Sequence, residues 1–321
     1  MDSEQKKKPL LIIGGPTGVG KTALSVELAR RLSGECISAD SVQVYKGLDI
    51  GSAKASPAEM QGILHHLIDI LEPTEHYDAV RFQQMAGKAA AEIHARKHLP
   101  ILVGGTGFYI QALLYGIDFS EEPEERQREL RQQLEAEAGE PDGALRLHAR
   151  LSRIDPESAE KIHPHNIRRV LRALEYYELH QRPISMHNAE ERVREAVYDA
   201  AFFVLTDERE RLYARIDQRV ERMLSEGLLA ETEGLYARGF RSTDPGMQGI
   251  GYRELLLFLE GKCSLPDAVE AIKRHSRNYA KRQLSWFRRE RAVSWIDISK
   301  FDYEKDRIAG WITDKCMKKW A

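Results

Sequence analysis

The chain is short of the residues that would place it outside a reducing compartment. It has three cysteines, Cys36, Cys263 and Cys316, an odd number, far apart and without a Cys-x-x-Cys pair, so neither a disulfide framework nor a zinc site has the spacing it needs. They read as reduced thiols, and a cytoplasmic protein is expected. Long apolar runs are also missing. A membrane span needs about 18 consecutive apolar residues, whereas Lys6, Lys7 and Lys8 lead only into Leu10 to Ile13, too short even for a signal peptide. No internal repeat, low-complexity linker or Asn-Lys-x-Asp guanine signature occurs, and His65, His66, His163, His165 and His187 lack metal spacing. Nor is there a basic excess. Lys and Arg number 48 against 50 Asp and Glu, a net charge of −2, which weighs against a nucleic-acid partner only if the charge is evenly spread.

It is not evenly spread. From Ile272 to Arg291 the chain carries Lys273, Arg274, Arg277, Lys281, Arg282, Arg288, Arg289 and Arg291 against one acid, Glu290, while Glu121 to Glu140 is rich in acid. On a helix, Arg274, Arg277, Lys281, Ser285 and Arg288 form one stripe, and Tyr279, Gln283 and Trp286 share another face. A solvated amphipathic helix would look the same. Aromatic residues among cations favour RNA, because they can hold splayed bases beside phosphates.

At 321 residues and 42% hydrophobic, the chain can bury a substantial core. Short apolar runs predict strands at Leu10 to Gly14, Cys36 to Ala39, Leu67 to Ile70, Ile101 to Val103, Ala201 to Leu205 and Val293 to Ile298. Leu24, Leu28 and Leu32 mark one buried helix face, and Ala79 to His98 reads as another helix with Pro100 as its stop. From about Gly116 the texture turns to charged helical patterns, Glu124 to Ala138 and Asn166 to His180. The expectation is an α/β fold, a parallel sheet flanked by helices, with a helical insertion: residues 1–116, an insertion over 117–198, and a return over 199–321.

Directly after the first strand, Gly15-Pro16-Thr17-Gly18-Val19-Gly20-Lys21-Thr22 fits G-x-x-x-x-G-K-[ST], the phosphate loop of P-loop NTPase-like folds. The backbone N–H groups and the helix start face phosphate oxygens, Lys21 adds a charge, and Thr22 can ligate Mg²⁺. The motif leaves open a nucleotide triphosphate or another diphosphate. Support for a metal-bound triphosphate is thin, since Asp69 follows only Leu67 and Ile68 and Val103 leads into Gly104. Arg215 and Arg219, one helical turn apart, are candidate diphosphate contacts, although surface ion pairing would give the same spacing.

Ligands of open parallel sheets lie past the carboxyl ends of the strands, where Asp40 and Gly104-Gly105-Thr106-Gly107 are expected. Taken singly, Asp40 reads as a loop acid and Thr106 as a helix cap. The string from Ser38 to Lys54, SADSVQVYKGLDIGSAK, is more specific: it resembles the signature of the tRNA dimethylallyltransferases, also called tRNA isopentenyltransferases. Leu102 to Tyr109, Ile162-His163-Pro164, Arg168 to Glu175, Gly249 to Arg253 and Lys281 to Arg288 match in family order, so the resemblance spans nearly the whole chain. The chain departs from the pattern between Ser120 and Arg131, which is a few residues longer, so Arg128 and Arg131 compete for one tRNA-contacting place. It is of the bacterial kind, without the zinc finger of eukaryotic relatives.

The resemblance implies transfer of a dimethylallyl group from dimethylallyl diphosphate, with Mg²⁺, to the exocyclic N6 of the adenosine beside the tRNA anticodon. Asp40 would serve as general base and Thr106 would help place the reacting groups. It further implies tRNA contacts at Asp40, Ser41, Val42, Gln43, Thr106, Arg131, Arg168, Arg169, Arg172, Gln248, Gly251, Arg253, Lys281, Arg282, Gln283, Trp286 and Arg288, with no membrane partner and a monomer as the working unit. Two other classes are consistent with the residues alone: a small-molecule P-loop kinase or nucleotide prenyltransferase, and a non-catalytic RNA-binding NTPase.

Overall fold

The structure, a computed structural model, describes residues 7–119 and 124–321. It divides into two compact units, one comprising residues up to Gly116 together with Ala196–Ala321, the other Ile117–Glu195.

The larger unit holds β1 (Pro9–Gly14), α1 (Lys21–Leu32), β2 (Gly34–Ala39), α2 (Pro57–Met60), β3 (His65–His66), α3 (Ala79–Ala95), β4 (Leu99–Gly104) and α4 (Gly107–Tyr115). After the smaller unit it continues with β5 (Asp199–Thr206), α10 (Arg209–Ser225), α11 (Leu228–Ala237), α12 (Tyr252–Leu259), α13 (Leu265–Phe287), β6 (Val293–Asp297) and α14 (Lys305–Trp320). The strands form one parallel sheet in the order β3-β2-β4-β1-β5-β6. Strands covered on both faces must be apolar throughout, and Leu10, Leu11, Ile12 and Ile13 are all fully buried. One face packs Leu11, Ile13, Phe203 and Ile296 with Leu24 and Leu28 of α1 and Ile308 and Ile312 of α14. A second cluster joins Val44, Tyr45 and Leu48 to α10, α11, α12 and α13 through Val220, Leu235, Leu255 and Ile272.

Strand order reverses at β1. The chain leaves it for β2 on one side of the sheet and returns through β5 on the other, so β1 ends at a topological switch point, where a ligand crevice opens. Neighbouring carboxyl ends are level there, with Gly14 beside Gly104 and Gly104 beside Ala39. A side chain on Gly104 would lie 2.2 Å from the Ala39 carbonyl oxygen, so the strands meet this closely only with glycine.

Two expectations need correction. The third strand is His65–His66, paired with Cys36 and Ile37, and the expected Leu67 to Ile70 cannot extend it: Leu67 (φ 63°) and Asp69 (φ 55°) are left-handed. Helix α3 ends at Ala95, and Pro100 lies inside β4, near the start of a strand where its missing N–H is tolerated. Among the described residues no helix is long and apolar enough to cross a membrane.

The smaller unit is helical throughout: α5 (Glu124–Gly139), α6 (Gly143–Ile154), α7 (Pro156–Lys161), α8 (Ile167–His180) and α9 (Ile184–Val193). Its own core is Leu134, Leu147, Leu151, Val170, Leu171 and Leu174, the positions that i, i+4 spacing sets on one side of each helix.

Candidate active site

The phosphate loop leaves β1 and enters α1 through Gly15 (φ 144°), Gly18 (φ 82°) and Gly20 (φ 97°), a backbone path that only glycine takes without strain. Lys21 folds back to donate to the carbonyls of Gly15 at 2.9 Å and Pro16 at 2.8 Å. Burial, and then the charge of Arg219, pull its ammonium down to about 7, with Asp40 opposing. Arg219 is itself lowered by burial and raised by Asp40. Arg215 is held by the buried Asp207 at 3.6 Å, and its guanidinium comes within 3.8 Å of where a Gly20 side chain would begin. Arg215 and Arg219, one turn apart on α10, therefore both stand at the phosphate loop.

Asp40 follows β2 immediately. Its Oδ1 accepts from the backbone N–H groups of Val42 at 2.8 Å and Gln43 at 3.2 Å, an Asx turn that fixes the carboxylate, while Oδ2 has no hydrogen-bond partner among the described residues. Its charge is felt by Lys21, Arg219, Tyr77, Tyr109 and Tyr279, which makes it the electrostatic centre of this end of the sheet. Burial, then Asp40, push the Tyr279 phenol up to about 12, so it stays a neutral donor. Thr106 stands at the N-cap position of α4 without capping it, and its hydroxyl is buried beside the Tyr279 phenol. Tyr77 stands in no motif, yet its buried hydroxyl is unbonded at the cavity wall.

These groups face one cavity of about 1670 Å³, which Thr17, Gly18, Gly20, Lys21, Thr22, Asp40, Arg215 and Arg219 line together. Ser41, Val42, Gln43, Gln248, Gly251, Arg253, Arg282 and Gln283 line it as well. Gly15, Pro16, Val19 and Thr106 are not among the residues that line it. Gln43 is spent on structure: it accepts from Ser38 Oγ at 2.9 Å and donates to the carbonyls of Ser52 and Ala53. The 49–51 loop hangs on Glu231, which accepts the N–H groups of Asp49, Ile50 and Gly51 and the Tyr252 hydroxyl. Arg253 is fixed by Glu254 at 2.6 Å, and the same carboxylate accepts the N–H of Gly251. Gln248 is exposed and bonded to the Ser242 carbonyl.

The cationic stripe on α13 is interrupted. Arg277 pairs with Asp217 at 2.5 Å and Lys273 with Glu221 at 2.5 Å, whereas Lys281 and Arg282 are exposed, Arg282 above the Tyr279 ring. Helix α13 ends at Phe287, so Arg288 is its exposed C-cap and Arg289 and Arg291 lie beyond the stripe. Trp286 is turned inward, against Gly107. In the helical unit, Arg131 is engaged by Glu135 and Glu175, and Arg168, Arg169 and Arg172 are exposed on α8. Arg128 is also exposed on α5. Among the described residues no group of three or more His, Cys, Asp or Glu side chains could hold a metal. The Thr22 hydroxyl, at the cavity wall beside the phosphate loop, is an oxygen donor of the kind that a diphosphate-bound Mg²⁺ accepts.

The chain is similar to known proteins over nearly its whole length. The tRNA dimethylallyltransferase of Lachnoclostridium phytofermentans is 49% identical over 299 residues, 93% of this chain and 94% of that one. That of Bacillus subtilis is 46% identical over 293 residues, 91% and 92% of the two chains. The crystal structure of a tRNA delta(2)-isopentenylpyrophosphate transferase from Staphylococcus epidermidis, 40% identical, superposes with a TM-score of 0.72 over 98% of this chain and all of its own. A eukaryotic dimethylallyltransferase acting on tRNA, 32% identical, gives 0.81 over 97% of this chain and 80% of that one. A family model for isopentenyl transferase matches residues 8–72 and one for IPP transferase matches residues 43–290, so the chain belongs to the IPP transferase family.

Proposed function

We propose that this chain transfers the dimethylallyl group of dimethylallyl diphosphate to N6 of the adenosine beside the anticodon of tRNA and releases diphosphate. The observation that carries the reading is the shared cavity, in which Lys21 of the phosphate loop and Asp40 face the same space. At about 1670 Å³ it exceeds the roughly 300–1,000 Å³ of a small-molecule site, as a splayed-out nucleotide beside a prenyl diphosphate requires.

The adenine amine is a weak nucleophile because its lone pair is delocalised into the ring. Asp40 accepts a hydrogen bond from N6 through the oxygen left over from its Asx turn, then takes the proton as the N–C bond forms. Diphosphate leaves with the C–O bond electrons, and Lys21, Arg215, Arg219 and the loop N–H groups hold its growing charge. Thr22 would hold Mg²⁺, which when bound offsets further charge on the leaving group. Thr106 would help to place the reacting groups on the far side from Asp40. Lys281, Arg282 and Arg288 supply phosphate contacts, Gln248, Gly251 and Arg253 line the RNA side of the cavity, and Ser41, Val42 and Gln43 form the edge beside Asp40. Arg131, Arg168, Arg169 and Arg172 carry further RNA contacts, Arg131 by exchanging Glu175 for phosphate. The protein works as a cytoplasmic monomer.

Incubation with dimethylallyl diphosphate, Mg²⁺ and either unmodified tRNA or AMP, followed by nucleoside mass spectrometry, tests this. Prenylated adenosine from tRNA alone is expected. Product from AMP, or phosphate release from ATP without prenyl product, would overturn it.

A further inference from the structure

Gln283 lies in the segment that faces RNA by resemblance, yet at the cavity wall its side chain is engaged by the phosphate loop. It is 5% exposed, and its Oε1 accepts the backbone N–H of Thr17 at 2.9 Å across 266 residues of sequence. Its Nε2 lies over the second glycine-rich loop, where a Cβ on Gly105 would come within 1.9 Å. Neighbours on the same helix make the same kind of contact. Trp286 covers Gly107, where a Cβ would lie 2.1 Å from Cε3, and Phe287 covers Gly14, where it would lie 2.9 Å from Cε1. Lys281 and Arg282, just before Gln283, are exposed.

From this juxtaposition we infer that Gln283 is a positioning residue of the phosphate loop, one that presets the loop for diphosphate and makes no contact with RNA. The inference rests on the function proposed above for its substrate, but its physical content is narrower. A phosphate loop binds well when its N–H groups converge before the anion arrives, since ordering them on binding costs affinity. Two tethers fix the entry of this loop. Lys21 ties the Gly15 and Pro16 carbonyls from within, and Gln283 ties the Thr17 N–H from outside. Thr17 precedes the N–H groups of Gly18 to Thr22 that wrap the phosphate, so its bond sets their direction without competing for the ligand.

The test measures two affinities on the full chain. Inorganic diphosphate with Mg²⁺ is titrated calorimetrically in the absence of RNA, and unmodified tRNA is titrated separately in the absence of diphosphate. Gln283→Met keeps the volume and removes the acceptor, and it should weaken diphosphate by about 2- to 12-fold, the worth of one hydrogen bond, with tRNA affinity unchanged. Gly105→Ala, which displaces the carboxamide from the opposite side, should do the same, so a folding defect in either variant leaves the other decisive. Arg282→Ala should do the reverse, weakening tRNA and sparing diphosphate. If Gln283→Met and Gly105→Ala bind diphosphate as the wild type does, or if Gln283→Met weakens tRNA instead, the inference is overturned while the proposed function stands. A wild-type chain that does not bind diphosphate overturns both.

Discussion

Strand β2 carries a carboxylate at each end. At the amino end Glu35 is buried, and both its oxygens are used twice: Oε1 by Arg96 at 3.0 Å and His98 at 2.7 Å, Oε2 by Arg96 at 2.7 Å and His66 at 2.7 Å. Just past the carboxyl end, Asp40 has one oxygen engaged by backbone and the other facing the cavity. The two acids share a strand and differ in how much hydrogen-bonding capacity the fold consumes. Where the fold consumes all of it, as at Glu35, the carboxylate fastens β2 to β3 and to the turn before β4. Where it leaves one oxygen over, the backbone supplies orientation and the remaining lone pairs are available for a substrate proton.

The sharpest way to break this contrast is Asp40→Asn. Asn still accepts from Val42 and Gln43, so the turn survives, but the proton acceptor is gone. Single-turnover rates at saturating tRNA and donor should drop by about 10²–10⁴-fold with both affinities little changed; a rate near wild type would remove Asp40 from the chemistry.

The same division applies to cations. Lys54 is saturated by the Tyr45 carbonyl, Asp49 and Asp69, whereas among the described residues Lys21 is bonded only to its own loop at the cavity. Lys21→Ala should lower kcat/KM for the donor by about 10- to 150-fold, the range of a charged hydrogen bond. Because the free ammonium sits near 7, diphosphate finds it charged below that pH and must bring back its proton above it. Calorimetry at pH 8 in buffers of different ionisation enthalpy should therefore show proton uptake on binding, absent in Lys21→Ala.

At the other end of β2, Glu35→Gln should cost about 1–3 kcal/mol in urea unfolding and leave the single-turnover rate at its wild-type value. The Arg96 guanidinium, aided by His66 and His98 against the opposing effect of burial, holds Glu35 at about 2, below its ordinary 4.5. A carboxylate lowered on folding stabilises fully above 4.5, and that stability is lost as pH falls from 4.5 through about 2. The variant should lack this part of the acid dependence. The smallest effect is expected on α13: Arg282→Ala should flatten the log–log salt dependence of tRNA binding by about 0.7, one single-strand phosphate contact, whereas Arg277→Ala, already paired with Asp217, should not change it.

Much of this was legible before any coordinates. The buried parallel strands announce themselves because every residue from Leu10 to Ile13 must be apolar, and the phosphate loop because only glycines permit its path. What stayed hidden depends on partners remote in sequence. Nothing near Arg277 reveals that Asp217 neutralises it, and nothing near Gln283 shows that its amide reaches back to Thr17. Leu67 to Ile70 has the apolar content of a strand, while left-handed Leu67 and Asp69 reflect the route to Lys54, which ion-pairs with Asp69. For Asp40, position past a strand was readable; the disposition of its two oxygens was not.

The hydrogen bond between Thr17 and Gln283 also sets a timetable for synthesis. Gln283 is added 266 residues after Thr17, which at about 5–20 residues per second takes a ribosome about 13–50 s. The phosphate loop emerges first and waits for its brace, and β1 waits for β5, which follows the helical unit in the sequence. Sheets closed by such distant pairings fold slowly. A nascent chain of this protein therefore spends most of its synthesis with an unpaired edge on its most apolar strand, and anion binding by the loop should mature only after α13 has left the exit tunnel.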